Sequence, residues 1–410
     1  METTEIFTMA LGLVEPWQVK EVRFVKGDDG KKRLYIDITF TCGYRFPTAD
    51  GGSVTAYDTV MREWKHLNFF EHECYLRCRV PRIKTGEHTI ETVSVPWARR
   101  GSGFTMLMEA YMMLLIEKEM PVSSVSETVK ETQPRVWRVF DYWVTYSVEG
   151  MDLSKVRRIG VDETSYRKGH RYITQFVDED TRRTVFVTEG RDAETFRAFV
   201  EHLEKHGGRA ENISVVSMDM SKAFMLGCKT YLPKAEIVFD RFHVVKCCNE
   251  AIEDVRKSVK STHPFTAYEK YTLLSRADNL DAARHFLLAD LTEDCREIAT
   301  AYMLKESFSD LYDIHDSQMA EGYLAYWCDM AEDSGLAPFL KFASTVRKHW
   351  QGITAFFRHG RLNNGLLEGI NSKVQLARRR ARGFLNLQNF IHMIYLVAGK
   401  LNISHPLYSL

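Results

Sequence analysis

The first part of the chain alternates as strands do. Glu21–Val25 and Arg33–Phe40 are rich in β-branched and aromatic residues, and the Lys26–Lys31 segment between them carries the glycines and aspartates of a hairpin turn. Cys74–Val80 and Thr89–Val95 have the same character. From Thr105 the apolar period lengthens to that of a helix. Thr105–Lys118 presents Leu107, Tyr111, Met112, Leu114 and Leu115 on a broad face, and Pro121 punctuates. Ser124 and Glu127 have capping-box spacing and predict the start of a short helix. Thr132 followed by Pro134 predicts the start of another, running to about Tyr146 and burying Val136, Val139 and Phe140. Three short helices with a tight turn before the last form a helix-turn-helix pattern, with Gln133, Arg135 and Arg138 facing a DNA groove. The plainer alternative is a three-helix linker bundle.

From residue 156 to 256 strands and helices alternate in the order β-β-β-α-β-α-β. The strands are Arg157–Asp162, Tyr172–Asp178, Thr184–Thr188, Ile213–Met218 and Glu236–Phe239; the helices are Ala193–His206 and Lys222–Tyr231. This α/β order fits a ribonuclease-H-like layered sheet in which the first and fourth strands lie side by side. Asp162 and Asp219 would then emerge at one edge of the sheet. Two neighbouring carboxylates repel unless hard cations lie between them, and Mg²⁺ takes oxygen ligands of this kind. Two such ions can activate an attacking hydroxyl and stabilise a leaving alkoxide in a displacement at phosphorus. A third carboxylate is expected, and Glu368 is the candidate, near the start of a predicted helix Gly365–Arg380. Asp240 and His243 are candidates for a fourth acid and a proton acceptor. Glu163 points to the other face of its strand and reads as structural.

Charge changes the picture because it is sorted by position. The totals cancel, with 55 Lys+Arg against 55 Asp+Glu. Yet Asp281–Leu340 holds 13 acidic and 3 basic residues, and Lys341–Gly383 holds 10 basic residues and one acid, Glu368. The basic block is an electrostatic footprint for phosphates. It brings Lys373, Arg378, Arg379, Arg380 and Arg382 forward as DNA contacts, and the N-terminal run adds Arg77, Arg79, Arg82 and Lys84. The plainer reading is two solvated faces that neutralise each other. An autoinhibitory contact between them is a further guess. Trp350 and Trp327 are candidates to stack on an unpaired base, or are core aromatics.

Composition excludes little else: 410 residues, 45% hydrophobic, suffice for several domains and a large core. No run reaches the ~18 apolar residues of a membrane span. METTEIFTMA lacks the order of a signal peptide. The 8 cysteines include the adjacent pair Cys247–Cys248 and make a poor disulfide framework, so a cytoplasmic location with reduced thiols is expected. Cys42, Cys74, Cys78 and His88 suggest zinc, but the two-knuckle spacing of a strong zinc motif is degenerate: Arg45 and Thr85 stand where partners belong.

The runs IGVDETSYRKGHRY, VSMDMSKAF, VFDRFHVVK and LLEGINSKVQLARRRARGF resemble the bacterial insertion-sequence transposases of the ISL-three (ISL3) family. MPVSSVSETVKETQPRVWRVFDYWV is similar to that family's helix-turn-helix. The resemblance implies a DDE enzyme with Asp162, Asp219 and Glu368 as catalytic, metal-binding triad and two Mg²⁺ or Mn²⁺ ions. It implies a bacterial, nucleoid-associated protein whose partners are double-stranded DNA, terminal inverted repeats and target alike, acting as a homodimer or larger assembly. The family's N-terminal zinc module is departed from here. The layout expected is a β-rich module over 1–100, a helix-turn-helix over 101–150, the core over 151–250, an α-helical insertion over 251–357 and the catalytic helix within 358–410. Two rivals follow from the same residues: a catalytically silent DNA-binding regulator, and a structure-specific nuclease without strand transfer.

Overall fold

The computed structural model describes residues 2–86, 89–167, 171–261, 264–360 and 365–403. They divide into two compact units, one running to Thr145 and taking in Asn402 and Ile403, the other Tyr146–Leu401.

The first unit begins with α1 (Thr3–Ala10) and a set of strands: β1 (Trp17–Lys26), β2 (Lys32–Phe40), β3 (Arg45–Pro47), β4 (Ser53–Thr55), β5 (Asp58–Phe69), β6 (His72–Lys84) and β7 (Ile90–Thr92). The main sheet has the order β1-β2-β6-β5, with β7 on β6. The predicted hairpin forms, with Lys26 paired to Lys32. The long β5 escaped the sequence reading because Arg62, Glu63 and Lys65 break up its apolar alternation. One face of the sheet buries Leu34, Ile36, Cys74, Leu76, Cys78 and Trp64.

Three helices follow: α2 (Met106–Glu117), α3 (Val122–Thr128) and α4 (Gln133–Glu149). Thr105 caps α2 by accepting from the Met108 N–H. The predicted capping box does not form. Pro121, with φ −59°, opens α3 earlier, and Ser124 lies inside the helix. Glu109 of α2 is fully buried. Its carboxylate accepts from Arg99 Nε (2.9 Å), Ser102 Oγ (2.5 Å) and Trp143 Nε1 (2.9 Å), which satisfies a charge that would otherwise be costly to bury.

The second unit holds β8 (Arg158–Arg167), β9 (Arg171–Asp178), β10 (Arg183–Glu189), α5 (Glu194–Lys205), β11 (Val215–Met218), α6 (Lys222–Tyr231) and β12 (Glu236–Phe239). The strand order is β10-β9-β8-β11-β12, so the first and fourth strands are neighbours, as expected. They pair in parallel over Arg158–Gly160. β8 runs past the predicted end at Asp162, because it continues as the antiparallel partner of β9. Phe199 of α5 stacks on Phe176 with ring centroids 4.4 Å apart, covering one face of the sheet.

The remaining helices are α7 (Arg241–Ser258), α8 (Ala267–Leu274), α9 (Ala282–Asp294), α10 (Arg296–Asp310), α11 (Ser317–Asp333), α12 (Ala337–Lys348), α13 (Trp350–Arg358), α14 (Gly365–Arg380) and α15 (Leu387–Ala398). The boundary expected at 250/251 falls inside α7. α7, α8 and α10 to α13 share one buried cluster with the sheet, from Leu153 through Trp327 to Phe357. Glycine makes the close approach of α13 to β12: any Cβ on Gly352 would meet the Phe239 ring at 2.5 Å. Two arginines of the basic segment pair with acids here, three of them from the acidic segment and one, Glu236, from β12. Arg347 binds Asp329 (2.6 Å) and Glu332 (2.7 Å), and Arg358 binds Glu321 (2.8 Å) and Glu236 (2.6 Å).

Candidate active site

Register places the acids. Gly160 of β8 pairs with Ser217 of β11, which pairs with Val238 of β12. Two residues beyond this level, on the same face by the period of a strand, stand Asp162, Asp219 and Asp240. The sequence reading brought Asp162 and Asp219 together; the register adds Asp240 to their row. The face they share is the one α14 covers: a Cβ on Gly160 would meet Leu367 Cδ1 at 3.0 Å.

Each carboxylate is held differently. Asp162 Oδ1 accepts from the Glu163 N–H (2.8 Å), and Oδ2 accepts from Asn371 Nδ2 of α14 (2.6 Å). Burial, reinforced by the nearby Asp219 charge, lifts the Asp162 carboxyl above its ordinary pKa despite both hydrogen bonds and the opposing pull of His243. Asp219 accepts from the Ser221 N–H at 2.9 Å. Asp240 caps α7, accepting from the Phe242 N–H (3.0 Å), and its other oxygen lies 2.8 Å from His243 Nδ1. That hydrogen bond is the main cause raising the His243 pKa, and the charges of Asp162 and Asp219 add to it. Glu163, the next residue along β8, lies on the opposite face by strand alternation, 3.7 Å from Arg191.

Glu368 is exposed in the first turn of α14. It lines a cavity of about 280 Å³ together with Asp240, Arg241, Arg276 and Lys305. Asn371, three residues on and about 4.5 Å along the helix axis, is the residue that reaches Asp162. Among the described residues no three carboxylate, imidazole or thiol groups lie close enough to hold one metal ion. The donor chemistry nevertheless fits a hard divalent cation: oxygen ligands only, on adjacent strand ends, with one carboxyl raised by burial and by a like charge that a cation would offset.

The other predicted residues divide sharply. Arg378 donates to the Ser165 and Tyr166 carbonyls (3.0 and 2.9 Å) and pins α14 to β8. Lys373, Arg379, Arg380 and Arg382 are exposed. Gln133 and Arg138 are exposed on α4, whereas Arg135 is bound to Glu131 (2.6 Å) and lies over the Phe104 ring. On β6, Arg77 binds Glu63 and covers Tyr35, Arg82 binds Asp58, Lys84 lies over Tyr57, and Arg79 is exposed. Trp350 is half-buried, but Trp327 is fully buried and donates to the Leu304 carbonyl, so it is a core residue.

The zinc set does not assemble among its described members. Cys74 and Cys78 are buried four residues apart on one strand, about 13 Å at the rise of a strand, too far for one ion with Zn–S near 2.3 Å. Burial pushes both thiols up to about 12. Cys42 is exposed, and His88 lies outside the described residues.

One residue with a clear positioning role carried no sequence signal. Lys65 of β5 is buried and donates to the Val129 and Lys130 carbonyls (2.9 and 3.0 Å), with Glu131 and Glu73 at 3.2 and 3.5 Å. It fixes the turn between α3 and α4 to the sheet. A lysine close to Arg62, Glu63 and His66 gives no hint of such burial.

Comparison with known proteins agrees with this architecture. The sequence profile of the DDE transposases of the ISL3 type, described as "Transposase", matches residues 159–394, more than half of the chain. A second profile, the helix-turn-helix domain of transposase family ISL3, matches residues 93–144. The transposase for insertion sequence element IS1001 of Bordetella parapertussis is 34% identical over 252 residues, a match spanning 60% of this chain and 61% of that protein. The transposase for insertion sequence element IS1557 of Mycobacterium tuberculosis is 26% identical, with 97% of this chain and 96% of that protein covered. With the acids, the helix that covers them and the helix-turn-helix all falling inside the matched segments, the chain belongs to the ISL3 family of insertion-sequence DDE transposases.

Proposed function

We propose that this chain binds the terminal inverted repeats of its insertion sequence and cuts and joins DNA at the acid row. The observation that carries the reading is the placement of Asp162 and Asp219 on adjacent parallel strands, with Asn371 tying the helix of Glu368 to Asp162. The strand order 3-2-1-4-5 of the core sheet supports a ribonuclease-H-like core. Asp162, Asp219 and Glu368 would hold two Mg²⁺ or Mn²⁺ ions, which when bound supply the charge that favours a hydroxide nucleophile and an alkoxide leaving group. The chain's own groups orient and exclude. Asn371 and the Glu163 N–H fix the Asp162 carboxylate so that its remaining lone pairs face the site. Arg378 holds α14 in place.

Gln133 and Arg138 of α4 supply groove contacts, and Arg79, Lys373, Arg379 and Arg382 supply phosphate contacts. Arg77, Arg82, Arg135 and Arg378 are engaged within the chain and are left out of this set. Joining two element ends requires at least a dimer on DNA.

The test is cleavage of a labelled duplex carrying the element's own end, wild type beside Glu368→Gln. Cutting is expected to need Mg²⁺ or Mn²⁺ and to fall by at least about a hundredfold in the variant. Specific binding without cutting in either protein would reject the enzyme in favour of a regulator. Cutting without joining would leave a nuclease.

A further inference from the structure

The cavity of about 280 Å³ that Glu368 lines is walled by the first turns of α7 and α14, the end of α8 and the second half of α10. Asp240 lines it as well, so an acid from a strand end and an acid from the covering helix both border the same space.

Three cations share the lining, and two of them are committed to the fold. Arg276 binds Asp310 (3.1 Å) and Asp313 (3.4 Å). Lys305 is buried, donates to the Leu273 carbonyl (3.1 Å) and pairs with Glu306 (2.8 Å). Arg241 is different. It is exposed in the first turn of α7 and makes no ion pair with a described residue. Its chain neighbour Asp240 spends one oxygen on the Phe242 N–H and the other on His243. An aromatic ring holds Arg241 instead: its guanidinium carbon lies 4.7 Å from the centre of the Tyr312 ring. Tyr312, two residues beyond α10, is buried, and its ring packs on those of Phe356 and Phe357 with centroids 5.5 and 5.8 Å away. A ring attracts the guanidinium charge without consuming its N–H donors as a carboxylate would. Arg241 is thus positioned, and its donors remain to be used.

The acid row gathers negative charge where a DNA phosphate must also approach. In a displacement at phosphorus, further negative charge spreads over the oxygens that neither attack nor leave. A guanidinium with spare donors, held beside two of the acids, is suited to those oxygens. The cavity is smaller than the about 300–1,000 Å³ of pockets that enclose a whole small molecule, so it takes a phosphate group rather than a nucleotide. We propose that Arg241 is a catalytic residue that donates to a non-bridging oxygen of the phosphate being cut and offsets the charge that grows there. It forms no covalent bond and moves no proton. The proposal rests on the DNA-cleaving reading of the acid row.

The test uses the full chain and a duplex carrying the element's own end. Arg241→Ala is expected to lower the cleavage rate by about a hundredfold. Arg241→Lys, which keeps the charge but not the planar fork of donors, is expected to lower it by about tenfold. Guanidinium chloride well below denaturing concentration should restore part of the Arg241→Ala rate; a folding defect would not be mended by a denaturant. A second readout needs no cutting. With divalent metal left out, ethylation of single phosphates is expected to weaken wild-type binding at the phosphate of the cut, and to leave Arg241→Ala indifferent at that phosphate alone. Full-rate cutting by Arg241→Ala, or the same ethylation pattern in wild type and variant, would overturn the proposal. Cutting that survives Glu368→Gln would instead reject the acid-row reading, and the ethylation pattern would still judge Arg241.

Discussion

Asp162 is held by two donors of different origin, its own strand and a helix about two hundred residues later. The second donor is the more consequential, because it sets where the carboxylate points relative to α14. Groups that orient a metal ligand typically contribute 10- to 100-fold. Asn371→Ala is therefore expected to lower cleavage by about tenfold while leaving binding of the uncut element end unchanged, as titration of labelled duplex will show. Glu179 has a different effect. It shares the sheet face of the acid row but lies near Gly160 and Leu367, away from the catalytic end. Burial pushes its carboxyl up to about 7, against about 4.3 for an exposed glutamate. Between those values the unfolded chain releases a proton that the folded chain keeps. Stability is therefore whole below about pH 4.3 and declines as pH rises through 7. Glu179→Gln removes that loss. Urea unfolding should show the variant more stable by on the order of 1–2 kcal/mol at pH 8, with the gap closing below about pH 5.

At the scale of elements, the helix-turn-helix is built as much by the preceding sheet as by its own helices. Lys65 binds the turn, and Glu109 gathers Arg99, Ser102 and Trp143 around α2. This distinguishes two arginines that sequence alone ranked together. Arg135 is part of the fold, bound to Glu131 and covering Phe104; Arg138 is exposed one turn further on. Arg138→Ala is expected to leave the melting temperature unchanged, to weaken binding of the element-end duplex, and to reduce its salt slope by about 0.9. Arg135→Ala is expected to lower the melting temperature. Equal effects on both readouts would mean that α4 does not face DNA in this way. The capping box at Ser124 failed for a related reason: Pro121, with its fixed φ, started the helix before the box was reached.

For the second unit as a whole, the α-helical segment after the sheet shares a buried cluster with the strands. Trp327 packs against Phe308 and Phe342 with ring centroids 4.7 and 5.4 Å away, in the same buried cluster that holds the strands. Trp327→Ala should cost about 3–5 kcal/mol. Because the core is continuous, hydrogen exchange should speed up in β11 and in α10–α12 together. Loss of protection in the helices alone would mean that the helical segment unfolds independently of the sheet. The acidic and basic segments belong to this scale too. Their pairs, Arg347 with Asp329 and Glu332 and Arg358 with Glu321, lie within one helical layer, and no autoinhibitory role is needed to explain them.

Local pattern settled the order of strands and helices in the core, the hairpin of β1 and β2, and the three helices ending at α4, because period and turn chemistry act over a few residues. It also marked Asp162, Asp219 and Glu368 as acids worth watching, and the adjacency of the first and fourth strands followed from their order. What depended on distant partners could be decided only in three dimensions. Register put Asp240 in the acid row, since pairing across strands is not written in either strand alone. Packing sent Cys74 and Cys78 into the core, Lys65 under the turn and Trp327 into the helical layer, and left Trp350 half-buried. A charged or aromatic side chain has the same identity in either setting. Whether it serves the fold or faces a ligand is fixed by the groups that the tertiary structure brings around it.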